Sequence, residues 1–266
     1  MMFQNIHYRG RIQLSPWRKI SLASWKPTGD SSCYCFEEIE VDQLLYAAQK
    51  FNINLNTFVI KACSKSINLH PEINSTVRFH NIYRRDDIAV FFHVSSDVRR
   101  DDLSGILFEE SQNMSIRKLN DEYLQKLNLA KLGKNQFSES KKIIGFLPSF
   151  FTKMVLSLFS FFAYRLNINL PIFKMPKNSF GSVMLTSVGS LGIQEALCPI
   201  APYTKVPMVI SIGRICEIPW VENGEIRIRK VIKFGFTFDH RIMDGRHFSA
   251  FLATFKNLIQ NPNSLL

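Results

Sequence analysis

The dipeptide Asn223-Gly224 is flanked on both sides by runs in which apolar and polar residues alternate. A two-residue type I′ turn needs positive φ at both central positions, which asparagine tolerates and glycine takes freely, so the pair predicts a β-hairpin. SVMLTSVGSLG and PMVISIGRI before it, and GEIRIRK and VIKFGFTF after it, read as successive strands. In the last of these Ile232, Phe234, Phe236 and Phe238 fall at two-residue spacing and share one face, which predicts a half-buried strand.

Ahead of this β-rich third, the periodicity changes to that of helices. FEEIEVD reads as a strand entering a helix in which Val41, Leu44, Leu45 and Ala48 keep helical spacing. Asn56 is the expected cap of a second helix, with Val59, Ile60, Cys63 and Ile67 on its apolar stripe and Pro71 as its stop. IYRRDDIAVFFHV reads as one strand, and Ser115 to Leu127 as a third helix carrying Ile116, Leu119, Tyr123 and Leu127 on one side. A final helix bears Phe248, Phe251, Leu252, Phe255, Leu258 and Ile259 and ends at Asn261-Pro262. The sum is an α+β fold, a mainly β sheet flanked by helices. No Pro/Gly/Ser-rich linker or repeat divides the 266 residues, so one domain over 1–266 is expected.

Lys and Arg number 33 against 22 Asp and Glu, a net charge of +11 that favours an anionic partner. The basic residues are scattered and no basic run has interleaved aromatics, which argues against nucleic acid and leaves a phosphorylated small molecule or an acidic membrane face. Cys33, Cys35, Cys63, Cys198 and Cys216 lack the paired spacing of a zinc site and read as reduced thiols of a cytoplasmic protein; no metal is expected. The beginning, MMFQNIHYRGRIQLSP, has no apolar core of signal-peptide length.

The chemistry concentrates in FDHRIMDG, residues 238 to 245, between the last strand and the last helix. A strand-end histidine with an aspartate four residues on, His240 and Asp244, can set an imidazole at the mouth of a sheet, though a structural histidine with a hydrogen-bonded neighbour has the same spacing. FTFDHRIMDG followed by an apolar helix ending in NP resembles the closing signature of the 2-oxo acid dehydrogenase E2 catalytic domains, shared more loosely with chloramphenicol acetyltransferases. LSPWRKISLASWKP, NTFVIKAC with HPEINS, YRRDDIAV, GSVMLTSVGSLG and VISIGRICEIPWVENGEIRIRK extend the resemblance in the family's order.

That resemblance implies the chloramphenicol acetyltransferase-like fold and a coenzyme A-dependent acyltransferase, with coenzyme A or acyl-CoA as substrate and His240 as general base. A thiol with a pKa near the ~8.5 of cysteine needs a base at neutral pH, and an imidazole can take and return its proton. It also implies an oxyanion donor at Thr186, with Ser187 if the register slips by one, and a pair between Asp244 and Arg18 that holds the histidine turn. Gly245 is expected to allow a tight turn into the last helix, and Arg241 to be a surface or interface residue. Trimers or their multiples are implied, with a site shared between subunits.

Two stretches depart from the family pattern. The chain as given carries no lipoyl domain, peripheral-subunit-binding domain or Ala/Pro-rich linker, which leaves the acceptor open between a free small molecule and a separate carrier. VSSDVRRDDLSG stands where the family has a GLITPV-type segment. Residues 138–178 are longer and more apolar than the expected connection, and about 20 residues from Ile143 to Ala163 have the length to span a bilayer. Lys153 and Pro148 inside that stretch favour a helical insertion packed on a trimer or lining an acyl pocket; an in-plane helix on a membrane surface is the other reading. Two alternatives to an enzyme follow: a non-catalytic trimeric scaffold, and a membrane-associated module.

Overall fold

A computed structural model describes residues 5–13, 30–95, 103–135, 137, 149–170 and 176–266. Nine strands lie among them: β1 (Tyr8–Arg11), β2 (Ser32–Glu40), β3 (Ser75–Arg78), β4 (Asn81–Arg85), β5 (Ala89–Ser95), β6 (Leu103–Glu109), β7 (Val183–Ser187), β8 (Met208–Glu222) and β9 (Glu225–Asp239). The α-helices are α1 (Asp42–Phe51), α2 (Leu55–Leu69), α3 (Ile116–Lys131), α4 (Ser149–Ser160) and α5 (Gly245–Gln260), and a π-helical turn (Phe161–Arg165) continues α4.

The main sheet has the order β2-β9-β8-β7-β5-β6, and β1-β4-β3 form a small second sheet. Its central strands β5, β7 and β8 run parallel, whereas β9 is antiparallel to both β8 and β2. Side-chain alternation gives this sheet two apolar faces. Val90 and Phe92, Val183 and Leu185, Met208 and Ile210, and Phe234 and Phe236 join α2, α3 and α5 in the larger core. The other face packs Phe91, Met184 and Val209 against Phe159 and Tyr164 of the apolar insertion.

The α+β architecture and the Asn-Gly hairpin agree with the sequence reading: Asn223 and Gly224 have φ of 52° and 81° and join β8 to β9. Several boundaries differ. GEIRIRK and VIKFGFTF are one continuous 15-residue strand, and from Phe234 to Asp239 it is buried on both faces because segment 194–196 closes over the side away from the helices. IYRRDDIAVFFHV is two strands in two sheets, broken at Asp86–Ile88. Helix α2 starts earlier than expected, since Asn54 rather than Asn56 is its cap and accepts the Asn56 amide. The third helix runs four residues past Leu127, to Lys131, from a Ser115 cap.

In the apolar insertion only 149–170 and 176–178 are described. Phe151, Met154, Leu158, Phe161 and Phe162 are exposed there. No helix among the described residues is long and apolar enough to cross a membrane.

Candidate active site

β9 delivers His240 to the edge of the main sheet. The last ladder pairs of β9 are Asp239 with Ser32 and Phe238 with Met208, and the His240 amide then donates to the Ser31 carbonyl at 2.9 Å. The Ile242 and Met243 amides both donate to the Asp239 carbonyl, so the chain folds back tightly beneath the imidazole. Nδ1 of His240 is 3.0 Å from the Met243 carbonyl oxygen. A carbonyl can only accept, so Nδ1 carries the hydrogen of the neutral ring and Nε2 keeps the lone pair.

The residues flanking His240 are more organised than the sequence suggested. Arg241 is partly exposed, and its guanidinium makes a fork with Asp239, with Nε at 2.9 and 3.2 Å and a terminal nitrogen at 2.6 Å, while the Arg241 amide adds a bond at 3.0 Å. The Ser31 hydroxyl donates to the same carboxylate at 3.1 Å. This hydrogen-bonding to buried Asp239 raises the Arg241 guanidinium above its ordinary pKa. The signal for the pair was the i, i+2 spacing of opposite charges around the histidine.

Asp244 caps α5, accepting from the Arg246 and His247 amides at 3.1 and 3.3 Å, and Nδ1 of His247 lies 2.6 Å from the same oxygen. Arg18, its expected partner, lies outside the described residues. Gly245 begins α5 without positive φ, and an added Cβ would meet nothing within 4 Å, so the turn does not require glycine there.

Thr186 sits near the end of β7, in register with His93 of β5 and Ser211 of β8. Ser187 points to the opposite face, because successive strand residues alternate. Both are half-buried. Thr186 is level with Ser211, and Ser211 with Gly235, whereas His240 lies five residues beyond Gly235 and two strands across. At roughly 3.3 Å per residue and 4.8 Å per strand that separation is about 19 Å, so one chain does not bring the two together. Among the described residues no group of three or more His, Cys, Asp or Glu is arranged to hold a metal.

Residues 176–266, which contain Thr186 and His240, match the family 2-oxoacid dehydrogenases acyltransferase (catalytic domain). The dihydrolipoyllysine-residue acetyltransferase component of the pyruvate dehydrogenase complex from Acholeplasma laidlawii is 35% identical over 92 residues, 35% of this chain and 16% of that protein. The chain spans no more than about a fifth of the length of the curated relatives it matches. A probable dihydrolipoamide acetyltransferase of Listeria monocytogenes superposes with a TM-score of 0.64 at 16% identity, covering 95% of this chain and 94% of that one. A chloramphenicol acetyltransferase does so with a TM-score of 0.55 at 13% identity, covering 94% and 99%. The chain is therefore an E2-like one, with the fold of chloramphenicol acetyltransferase and the E2 catalytic cores, and with sequence similarity to the 2-oxoacid dehydrogenase acyltransferase catalytic domain over residues 176–266.

Proposed function

We propose that the chain is a coenzyme A-dependent acyltransferase in which His240 is the general base and Thr186 the oxyanion donor. The observation that carries this is the His240 turn: Nδ1 is held by the Met243 carbonyl at the end of β9, which leaves Nε2 as the basic atom. In the forward direction an acceptor thiol or hydroxyl gives its proton to Nε2 and attacks the carbonyl carbon of an acyl thioester. The carbonyl oxygen becomes an oxyanion facing the Thr186 hydroxyl; the C–S bond then breaks, and the departing thiolate of coenzyme A takes the proton back from Nε2. Atoms and charge balance without a redox partner or metal.

Asp239 and Arg241 have a supporting part, since their fork fixes the backbone on either side of the histidine. Asp244 supports the same turn from the helix side through its cap of α5. The wide separation of Thr186 from His240 within one chain supports a site completed by a neighbouring copy, as in a trimer or a multiple of trimers. The acceptor is a free small molecule or a separate carrier, and the free cysteines fit a cytoplasmic setting.

His240→Ala is the test, with acyl-CoA as donor and thiol release as readout. Turnover is expected to fall by about 10² to 10⁴ while acyl-CoA binding by calorimetry stays within a few-fold, because the base ionises the nucleophile and does not hold the coenzyme. Undiminished turnover in this variant would remove His240 from the mechanism.

A further inference from the structure

The insertion and the segment before β8 border an open cleft of about 630 Å³ whose wall combines two cations with hydroxyls and hydrocarbon. Arg165, from the π-helical turn, and Lys205 supply the charge; Ser157 and Tyr203 supply hydroxyls; Leu156 and Phe161 supply the apolar surface. No carboxylate among the described residues lines it, and none of them lies within ion-pair distance of either cation. The volume is that of a small-molecule site, where a mostly apolar wall with a few convergent polar groups is the usual composition.

Lys205 is held in place by the fold. Its backbone takes a left-handed φ of 54°, and its carbonyl accepts from the fully buried Arg85 at 2.8 Å and from Thr76 at 3.4 Å. The cleft also lies beside the catalytic turn, since the Asp239 amide donates to the Pro207 carbonyl at 2.9 Å. Burial and the repulsion of Arg241 and Arg165 push the Lys205 ammonium below its ordinary pKa, with Asp239 the one opposing charge. An ammonium in that field gains more from an incoming anion than a solvated surface lysine does.

We propose that this cleft binds an amphipathic anion, an apolar chain of several carbons ending in a carboxylate or phosphate, with its head group between Lys205 and Arg165 and its tail against Leu156 and Phe161. Its role as a substrate site rests on the acyl-transfer reading above; its existence as an anion site does not.

Isothermal calorimetry with octanoate, octyl phosphate, octanol and coenzyme A tests it. Octanoate and octyl phosphate are expected to bind at least about ten-fold more tightly than octanol, the loss expected when a charged partner is left unpaired. Lys205→Met and Arg165→Met are each expected to remove that preference while leaving octanol unchanged, and Lys205→Arg to keep it. Equal loss of coenzyme A binding in Lys205→Met assigns the cleft to the coenzyme's phosphates; loss for octanoate alone assigns it to an acidic acyl or acceptor group. Equal affinity for octanoate and octanol, or anion binding indifferent to both Met variants in folded protein, overturns the proposal. Anion binding as expected in a protein that transfers no acyl group would instead remove the acyl-transfer reading and leave the anion site.

Discussion

The division of labour within DHRIMDG is set by atoms a residue apart. His240 gives its Nδ1 hydrogen to a main-chain carbonyl, Asp239 takes the arginine, and Asp244 takes the helix. His-x-x-x-Asp was legible as a motif, but the capping role of Asp244 was not, because the motif and the family resemblance drew its carboxylate toward the histidine and toward Arg18, which lies outside the described residues. Asp244→Ala is expected to cost about 1 kcal/mol or more through the lost cap, with Asp244→Asn recovering that part; thermal melting decides, and an unchanged Ala variant would detach Asp244 from the helix start. The spacing of α2 gave no sign of the role of Lys61. Lys61 is buried in α2, and its ammonium donates to the Ser111, Gln112 and Met114 carbonyls, stitching α2 to the loop before α3. Burial pushes its pKa down from 10.5 to about 8. A folded pKa below the unfolded one means that the folded state resists protonation, so wild-type stability should rise from pH 8 to 10.5 and level off below 8. Denaturant midpoints of Lys61→Met should lack that rise; identical pH profiles would show that the shift is absent.

At the scale of elements, two glycines of β8–β9 separate what a turn needs from what a packed strand needs. Gly224 has positive φ and open space around its missing Cβ, while a Cβ on Gly235 would run into the Ala196 carbonyl oxygen. Gly224→Ala should therefore cost about 1 kcal/mol, the conformational penalty alone, and Gly235→Ala about 3 kcal/mol from overpacking against rigid backbone. Comparable melting temperatures for the two variants would contradict the close approach. The turn was readable because its requirement is local: Asn-Gly alone satisfies two positive φ values. The close approach was unreadable because it depends on segment 194–196, some forty residues away, folding over the sheet. The same difference explains why periodicity found the core faces of α5 and β9 but merged β4 with β5. No glycine or proline separates NIYRR of β4 from AVFFHVS of β5, and only the tertiary pairing sends one to the small sheet and the other to the large one.

At the scale of the molecule the geometry makes a demand that one chain does not meet. Thr186 and His240 lie on strands separated by β8 and about 19 Å apart, a distance that no side-chain rotation closes. If both groups act on one acyl group, the site must pair the histidine end of one copy with the β7 end of another, which closed cyclic symmetry provides at every interface. The proposal then predicts complementation. His240→Ala and Thr186→Ala chains, each expected to be impaired alone, should regain activity when refolded together, because some interfaces receive an intact histidine from one variant and an intact threonine from the other. For random assembly in a ring, about a quarter of the sites are intact, so turnover should recover to about that share of wild type. Sedimentation should show trimers or multiples of trimers in both variants and in the mixture. Recovery is specific to a shared site: two substitutions within the same site of one chain leave every site damaged however the copies are mixed. A mixture no more active than its components, or a fully active monomer, would place the two residues in separate functions. Running the mixture with Ser187→Ala in place of Thr186→Ala settles the register as well, since Ser187 faces the helix-covered core and its loss is expected to leave turnover nearly unchanged.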